Sequence, residues 1–296
     1  MNINIVIVNY CGASETVAAI KSIVKASNKV YFNCNIIVVD NKSPKNGNGI
    51  IQNSLGLSSV DKRSFQGLEC CRCVIDKCPI VFIQNDKNAG FGAGNNVGIN
   101  YVKSNFTYDA DDVLILLNND TEVEEDFIVK VNEYASQHSG KSAFSVKSIN
   151  YFTNEIDSEG FGYINLITGR SSHQKYCKFS YLVGSCIVLN NISTIPLFDE
   201  KFFLYYEDAD YSAVLRKTGY VLSYDSANSF FHKVSASSKL NPLIERIKKE
   251  SMIRFMRKNT SFVQNLFFFL VRFWGYVLTF RLKDIKQLIV EYARPL

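Results

Sequence analysis

The sequence predicts an α/β fold around a mostly parallel sheet, and three observations support that prediction. Short runs rich in β-branched residues recur at 3–9, 35–39, 80–83 and 113–117. Continuous apolar runs of this kind are typical of strands buried on both faces of a parallel sheet. Helix-like stretches lie between the runs, and polar residues follow each of them. Strands that alternate with helices in this way indicate a doubly wound α/β sheet.

The composition agrees with a folded, globular chain. Of 296 residues, 47% are hydrophobic and 21% are charged, which excludes a disordered or fibrous protein. We expect a main domain over 1–238 and a basic, aromatic helical region over 239–296. The net charge of +5 favours an anionic partner only weakly, and no nucleic-acid partner is expected.

The start of the chain and its cysteines predict a cytoplasmic location. Residues 1–4 lead directly into a strand-like run, without the basic stretch or cleavage site of a signal peptide. The eight cysteines are therefore expected to be reduced thiols. Four of them cluster at Cys70, Cys71, Cys73 and Cys78. Their irregular spacing favours a thiol-rich surface insertion within 44–78 over a zinc site.

Polar residues end the four predicted strands. These ends are Asn9-Tyr10, Asp40-Asn41, the stretch from Asn85 to Asn88, and Asn118-Asn119-Asp120. Any one of them could be a turn residue or a helix cap. Open α/β sheets bind ligands outside the carboxyl ends of their strands, so the four together predict a polar ligand cleft.

The fourth strand end has the chemistry of a divalent-metal site. Mg²⁺ and Mn²⁺ prefer oxygen ligands, and few of these need come from protein when phosphate and water supply the rest. Asp120 is the best candidate because it carries a full charge, and Asn118 is weaker. Alternatively, Asp120 caps the helix expected ahead of it.

A glycine-rich turn occupies 88–96 and precedes a predicted helix. Small residues such as Gly90 let the backbone approach a ligand closely, and the helix start offers free N–H groups to phosphate or sugar oxygens. The glycine spacing matches neither the phosphate-loop nor the dinucleotide fingerprint.

An aromatic run at 202–206 leads into three acids at a helix start. Aromatic surroundings would raise a carboxylate pKa towards that of a useful base, and a sugar ring can stack on them. Helical spacing predicts that Glu207 and Asp210 share one side while Asp208 turns away. Alternatively, the acids complement the helix dipole.

His232 lies in an apolar, strand-like segment shortly after this helix. A lone histidine in such a segment is more often structural than a ligand. Its position after the acidic helix nevertheless makes a role in binding metal credible.

Taken in order over 3–235, these motifs resemble glycosyltransferase family 2, especially its bacterial rhamnosyltransferase-like members. The matching residues are Val8-Asn9-Tyr10, Val39-Asp40-Asn41, Asn88-Ala89-Gly90-Phe91 with Asn95-Asn96, Leu117-Asn118-Asn119-Asp120, Gly184-Ser185, Tyr206-Glu207-Asp208 with Asp210, and His232.

The resemblance implies a GT-A fold and a binding role for most of these residues. Asp40 would hydrogen-bond the base, and Asn9 and Tyr10 would line the nucleoside pocket. The remaining donor-side positions are Asn41, Asn88, Gly90, Asn95, Asn118 and Asn119. Asp120 and His232 would hold Mg²⁺ or Mn²⁺, and Gly184, Ser185 and Tyr206 would lie at the acceptor.

The resemblance also implies the reaction. Asp208, or Glu207 as the alternative, would act as base in an inverting transfer of a sugar from a nucleoside diphosphate donor. One position departs from the family's D-x-D metal motif, because Asn118 replaces its first Asp. Many relatives share that form, so metal dependence remains expected, with weaker binding when no nucleotide is present.

The resemblance to rhamnosyltransferase-like members implies rhamnose from dTDP-rhamnose as the sugar, and a polysaccharide or lipid-linked acceptor in bacterial surface glycan synthesis, such as O-antigen or capsule. An inactive nucleotide-sugar-binding or scaffold protein is the alternative. A nucleotidyltransferase would need a basic, glycine-rich loop after the first strand, and Asn9-Tyr10-Cys11-Gly12 lacks the basic residue.

The aromatic stretch at 262–280 predicts contact with a membrane surface. Gln264, Asn265 and Arg272 interrupt it, and a charge at the bilayer centre costs about 2.5–3.5 kcal/mol. An in-plane amphipathic helix at the inner face of the cytoplasmic membrane is favoured. A packed helix or oligomer interface and a true span are the alternatives.

Overall fold

A computed structural model describes residues 2–57, 60–173, 180–233 and 242–296. The α-helices are Ala13–Ser27 (α1), Gly47–Ser54 (α2), Phe91–Asn105 (α3), Phe127–Gln137 (α4), Glu207–Lys217 (α5), Pro242–Asn259 (α6), Phe262–Leu278 (α7) and Leu282–Ala293 (α8), with a 3-10 turn at Ile192–Thr194. The expected domain boundary at residue 238 lies outside the described residues.

The strands are Asn2–Asn9 (β1), Asn33–Asp40 (β2), Asp61–Phe65 (β3), Leu68–Ile75 (β4), Cys78–Gln84 (β5), Val113–Asn118 (β6), Thr121–Val123 (β7), Ser142–Asn150 (β8), Ile156–Ser158 (β9), Phe161–Ile164 (β10), Ser171–Ser172 (β11), Tyr181–Leu182 (β12), Cys186–Asn190 (β13) and Val221–His232 (β14). The main sheet has the order β3-β4-β5-β2-β1-β6-β13-β8-β14-β7, and β9 pairs with β8. Strands β11, β10 and β12 form a small second sheet.

The α/β class is confirmed, but the sheet is mixed rather than mostly parallel. The four predicted runs form β1, β2, β5 and β6, which pair in parallel. Beyond β6, strand β13 runs antiparallel to both of its neighbours. Parallel neighbours need a long crossover connection, usually a helix. Between β8 and β13 the chain instead forms the short strands β9 to β12, and β13 enters the sheet in the opposite direction.

The segment 44–78 is not the surface insertion that the sequence suggested. It forms α2 and the β3–β4 hairpin, which extends the sheet edge by pairing with β5. Cys70, Cys71 and Cys78 are buried, so these thiols contribute to the core. Within the described residues, no group of three or more Cys, His, Asp or Glu could hold a metal ion.

Apolar layers cover both faces of the sheet. Helices α1 and α4 pack on one face and α3 and α5 on the other. A third cluster joins the start of α5 to the C-terminal helices through Tyr206, Met252, Met256 and Phe268. The C-terminal helices therefore share a core with the acidic helix.

Helix α7 leaves one apolar stripe uncovered. Phe268 and Tyr276 face the core, while the other side exposes Phe262, Val263, Leu266, Phe267, Leu270, Val271, Trp274 and Leu278. Among the described residues, no helix has the length and apolar content needed to cross a membrane.

Candidate functional site

The strand register brings the polar strand ends to one edge of the sheet. Asn9 pairs with Asp40, Asp40 pairs with Gln84, and Val8 pairs with Asn118. Residues that are far apart in sequence therefore meet at the carboxyl ends of β1, β2, β5 and β6, where an α/β sheet binds its ligands.

Asn9 and Asp40 are fully buried at this edge. The Asn9 amide donates to Asp40 Oδ2 (3.4 Å) and to Ser43 Oγ (3.3 Å), and the Ser43 N–H donates to Asp40 Oδ1 (2.6 Å). A Cβ on Gly47 would lie only 2.1 Å from Asp40 Oδ2, so only glycine lets α2 begin over this carboxylate. Tyr10 lies at the surface, 50% exposed.

Asn41 ties three strand ends together. Its backbone N–H donates to Asn9 O (2.8 Å), its amide donates to Gly90 O (2.9 Å), and its Oδ1 accepts from Asn85 (2.7 Å). Buried amides that satisfy several neighbours fix loop geometry. In this structure Asn41 positions the glycine turn.

The glycine turn packs against the aromatic run. Gly90 has a φ of +99°, and a Cβ there would lie 2.2 Å from Phe203 O. The Phe91 N–H donates to the same Phe203 oxygen at 3.1 Å. The close approach that glycine allows joins the donor-side turn to the segment carrying the acids.

The asparagine side chains of this turn and of the start of α3 form hydrogen bonds with the protein backbone. Asn88 Oδ1 accepts from the Gly90 N–H (3.1 Å), and the Asn95 amide donates to Phe91 O (3.1 Å). Asn96 bonds the backbone of Phe198 in both directions, at 2.8 and 3.0 Å. These side chains hold the start of α3 and the loop before α5 in place.

Asp120 and His232 meet across the β7–β14 pairing. His232 Nε2 lies 3.2 Å from Asp120 Oδ1, and His232 Nδ1 lies 3.3 Å from Asp157 Oδ2. Burial lowers the pKa of His232, but its bonds to the two carboxylates outweigh burial and raise that pKa to about 9. Asp120 and His232, far apart in sequence, are thus brought together.

Asn118 and Asn119, which precede Asp120, differ in the hydrogen bonds that their side chains form. Asn119 donates to Thr16 Oγ1 (3.1 Å), to Gly12 O (3.3 Å) and to Asn9 Oδ1 (3.4 Å), so it connects β6 to the start of α1. Asn118 Oδ1 is buried and accepts no hydrogen bond from any described residue. A buried acceptor without a hydrogen-bond donor is energetically unfavourable. This one lies two residues before Asp120, a candidate metal ligand.

The acids of α5 do not divide as helical spacing suggested. Glu207 and Asp208 line the same pocket of about 170 Å³, together with Tyr181, Tyr205 and Tyr206. Asp210 faces α6 instead, where its oxygens accept from Lys258 Nζ (2.8 Å) and from the Asn259 amide (2.7 Å). Asp210 joins two helices, and the pair 207–208 faces the open space.

Glu207 and Asp208 have different environments despite sharing that pocket. Asp208 Oδ2 accepts from the Gly184 N–H (3.2 Å), and its Oδ1 accepts from the Ala209 N–H (2.8 Å). Burial raises the pKa of both carboxyls, and the Asp208 charge helps raise that of Glu207 to about 8. Glu207 Oε2 has no hydrogen-bond partner among the described residues. Glu207 is therefore protonated at neutral pH.

The backbone just before these acids is strained. Tyr205 and Tyr206 both have left-handed φ values, +66° and +63°. Such conformations cost about 1–3 kcal/mol each and cluster at functional sites. The Tyr206 hydroxyl donates to Gly169 O (2.7 Å), which anchors this turn.

Of the residues expected at the acceptor, Gly184 contacts Asp208 and Ser185 contacts the end of β6. A Cβ on Gly184 would lie 3.1 Å from the Asp208 Cβ, so glycine permits this contact. Ser185 is buried, and its carbonyl accepts from the Asn118 N–H at 3.0 Å. Residues 184–185 therefore contact both the end of β6, where the candidate metal ligands lie, and the acid pair.

Sequence reasoning missed two side chains at the site. Asp157 comes from a segment without a recognised motif and reaches His232 only because β9 pairs with β8. His173 lines the acid pocket, and its Nε2 lies 2.8 Å from the Tyr181 hydroxyl. Neither residue belongs to a sequence motif that could have predicted its place at the site.

The sequence matches the model of a known protein family. The family model described as Glycosyl transferase family 2 matches residues 4–193, more than half of the chain. A comparison with curated protein sequences gives no significant match.

Several solved structures are similar to this chain. S. aureus TarS 1-349 has a TM-score of 0.58 at 12% identity, over 98% of this chain and 79% of that one. Its complex with UDP-GlcNAc has a TM-score of 0.54 at 12% identity, over 97% and 89%. Mannosyltransferase PcManGT from Pyrobaculum calidifontis, in complex with GDP-Man and Mn²⁺, has a TM-score of 0.56 at 9% identity, over 99% and 76%. At such identities the likeness shows the fold, which is GT-A.

Proposed function

Since the chain belongs to glycosyltransferase family 2, we propose that it is an inverting, metal-dependent nucleotide-sugar transferase with Asp208 as its base. The observation that carries this proposal is the setting of Asp208. Its carboxylate is oriented by the Gly184 N–H at 3.2 Å and lines a pocket beside the strand-end cleft. A base needs a fixed orientation and access to the proton that it removes.

The donor is proposed to bind along the carboxyl ends of β1, β2, β5 and β6. The glycine turn and Asn95 follow β5 along the chain, and Asn119 follows β6. Asp40 is the proposed partner of the nucleobase. That contact requires a local rearrangement, because Asp40 is fully buried and already accepts hydrogen bonds from Asn9 and from the Ser43 N–H.

The residues at the end of β6 fit a divalent cation. Asp120 Oδ1 and His232 Nε2 lie 3.2 Å apart, and the buried Asn118 Oδ1 lacks a hydrogen-bond donor among the described residues. A cation bound here would displace the proton on His232 Nε2. Mg²⁺ or Mn²⁺ bound by these atoms would neutralise charge on the departing diphosphate. Asp157 holds the other nitrogen of His232 and would orient the ring.

Glu207 and Asp208 are proposed to have separate roles. Asp208 accepts the proton of an acceptor hydroxyl. That oxygen forms a bond to the anomeric carbon as the bond from this carbon to the donor phosphate breaks, and the electron pair leaves with the nucleoside diphosphate. The single displacement inverts the configuration. Glu207 stays protonated and keeps a second negative charge away from Asp208.

The sugar and acceptor are proposed from the motif resemblance. Rhamnose from dTDP-rhamnose, transferred to a lipid-linked or polysaccharide acceptor in bacterial surface glycan synthesis, is our preferred assignment. The test is a thermal-shift screen of dTDP-, UDP- and GDP-sugars with Mn²⁺, followed by transfer assays with the stabilising donors. A ligand that binds only the native state raises Tm. If no nucleotide sugar raises Tm, the donor assignment is wrong.

Contact with a membrane surface is the final part of the proposal. The exposed stripe of α7 carries Phe267 and Trp274, and basic residues such as Arg281 and Lys283 follow it. An apolar helix face flanked by cations favours an anionic bilayer surface. We propose that 1–238 forms the catalytic domain and that 239–296 brings it to the inner face of the cytoplasmic membrane. Self-association through these helices is the alternative.

A further inference from the structure

A second pocket, of about 320 Å³, lies between α6, α7 and the loop before β11. It shares Ser171, Tyr206 and Lys248 with the pocket that holds the acid pair. The two pockets are therefore contiguous, and Tyr206 forms part of the wall between them. A molecule that filled both would place one group beside Asp208 and another against α7.

Cations line this second pocket. They are Arg170, Lys248, Lys249, Arg272 and Arg281. Glu245 also lines it, and Asp284 pairs with Lys249 (2.7 Å) and with Arg281 (2.5 Å). Counting both acids, the pocket keeps an excess of three positive charges. Cations concentrated in a concave site favour an anionic ligand.

Arg272 is the central residue of this pocket. In the part of the chain that the structure describes, no carboxylate pairs with it. Its Nη2 contacts the Met252 sulfur (3.0 Å), and its Nε is buried without a partner. Burial, together with the charges of Arg170 and Arg281, lowers the pKa of this guanidinium. Leaving a buried guanidinium donor unpaired beside other cations is costly unless a ligand pairs with it.

Two further cations are free to reach such a ligand. Lys248 lies over the Tyr205 ring, with its Nζ 5.3 Å from the centroid, and Arg170 is exposed at the rim. Guanidinium groups bind phosphate oxygens through paired N–H donors, and lysine adds a mobile charge. The arrangement matches a tetrahedral oxyanion better than a single carboxylate.

We propose that this pocket binds a phosphate group of the acceptor, next to the hydroxyl that is glycosylated. The inference rests on the proposed function, because it takes the adjoining pocket as the place of the acceptor hydroxyl. The phosphate could belong to a diphosphate that links a glycan to a lipid or to a phosphodiester within a glycan. Both present the same oxyanion to Arg272 and Lys248.

The test measures binding directly and needs no turnover. Inorganic pyrophosphate is titrated by calorimetry into the protein of residues 1–296, with and without the nucleoside diphosphate identified by thermal shift. Arg170→Gln, Lys248→Gln and Arg272→Gln are compared with Lys286→Gln, an exposed α8 residue that changes the charge equally but lies outside this pocket. We expect each pocket variant to weaken pyrophosphate binding about tenfold and Lys286→Gln to leave it unchanged.

Equal affinity in Arg170→Gln, Lys248→Gln and the native protein would overturn the proposal, even if Arg272→Gln failed to fold. Complete displacement of pyrophosphate by the nucleotide would place the ion in the donor cleft and also overturn it. The KM for the acceptor then distinguishes the two sources of the phosphate. If KM for a glycosyl diphosphate lipid rises in the pocket variants, the phosphate belongs to the lipid linkage. If KM for a phosphodiester-containing glycan rises, the phosphate belongs to the polymer. Unchanged KM for both would contradict the proposal.

Nucleotide-sugar binding serves as an independent readout. If the variants bind the donor normally but lose pyrophosphate, the pocket is separate from the donor site. If no nucleotide sugar binds the native protein, the proposed function fails, whereas the pyrophosphate result still reports on the pocket.

Discussion

Gly184 donates its backbone N–H to Asp208 Oδ2 at 3.2 Å, and the absence of a Cβ at Gly184 allows that approach. The bond orients one carboxylate of the acid pair and stabilises its charged form. Glu207, one residue earlier, receives no such donor at Oε2 from the described residues. This asymmetry favours Asp208 over Glu207 as the base.

Asp208→Asn should reduce transfer by about 10²–10⁴-fold, because the amide cannot accept the hydroxyl proton. The amide oxygen can still accept from the Gly184 N–H, so the fold and nucleotide binding should persist. Steady-state transfer and nucleotide titration measure the two effects. Full activity in this variant would move the base away from Asp208.

Glu207→Gln should stabilise the protein increasingly as pH rises from about 4.5 to about 8. Below about pH 4.5 the carboxyl is protonated in both folded and unfolded chains. Between about 4.5 and 8 the unfolded chain ionises while the folded protein keeps its proton, so native Glu207 lowers the free energy of unfolding as pH rises. Each pKa unit by which folded Glu207 exceeds its unfolded value lowers the free energy of unfolding at pH 8 by about 1.4 kcal/mol.

Melting curves at pH 4.5 and pH 8 test this prediction. We expect Tm of Glu207→Gln to exceed the native Tm at pH 8 and not at pH 4.5, while Glu133→Gln, an exposed residue on α4, shows no such difference. A Tm difference that is independent of pH would show that Glu207 is not held neutral.

Removal of divalent metal should suppress transfer, and Mg²⁺ or Mn²⁺ should restore it. The oxygens of Asp120 and Asn118 and the His232 nitrogen form the proposed site, so Asp120→Asn should weaken Mn²⁺ binding in the presence of nucleotide. Calorimetry with Mn²⁺ and assays in excess chelator measure these effects. Turnover that is unchanged in chelator would exclude the metal role.

Phe267→Ser combined with Trp274→Ser should reduce binding to anionic vesicles, because each removes apolar area from the exposed α7 stripe. Vesicle sedimentation at low ionic strength measures this loss. Tyr31→Ser is the matched control, since Tyr31 is fully exposed far along the chain from α7. If binding is retained but a dimer dissociates, the stripe is an interface between copies.

The elements that position the donor cleft could be predicted from local patterns. Each buried run formed its strand, and the Asn and Asp residues at the ends met because parallel register aligns them. Local patterns did not predict which acids of α5 face the same side. Helical spacing grouped Glu207 with Asp210, but Lys258 and Asn259 pair with Asp210 from 48 and 49 residues away. No local pattern contains such a partner.

The same limit applies to Asp157, His173 and the cations of the second pocket. Asp157 reaches His232 through strand pairing, and Arg272 turns towards the protein because the opposite side of α7 carries the exposed stripe. From sequence alone, Arg272 looked like an interruption of an apolar helix. Its role depends on which face of α7 packs, and tertiary contacts decide that.

The contact between Asp210 and Lys258 bears on how the two regions can be separated by experiment. Asp210 is 1% exposed, and its partners belong to α6. Removing one member of a buried ion pair typically costs about 3–5 kcal/mol. A chain that ended before α6 would leave the Asp210 carboxylate without Lys258 and Asn259 and would expose the third apolar cluster to water. The C-terminal helices thus share a buried cluster and an ion pair with the start of α5, so point substitutions disturb the site less than truncation would.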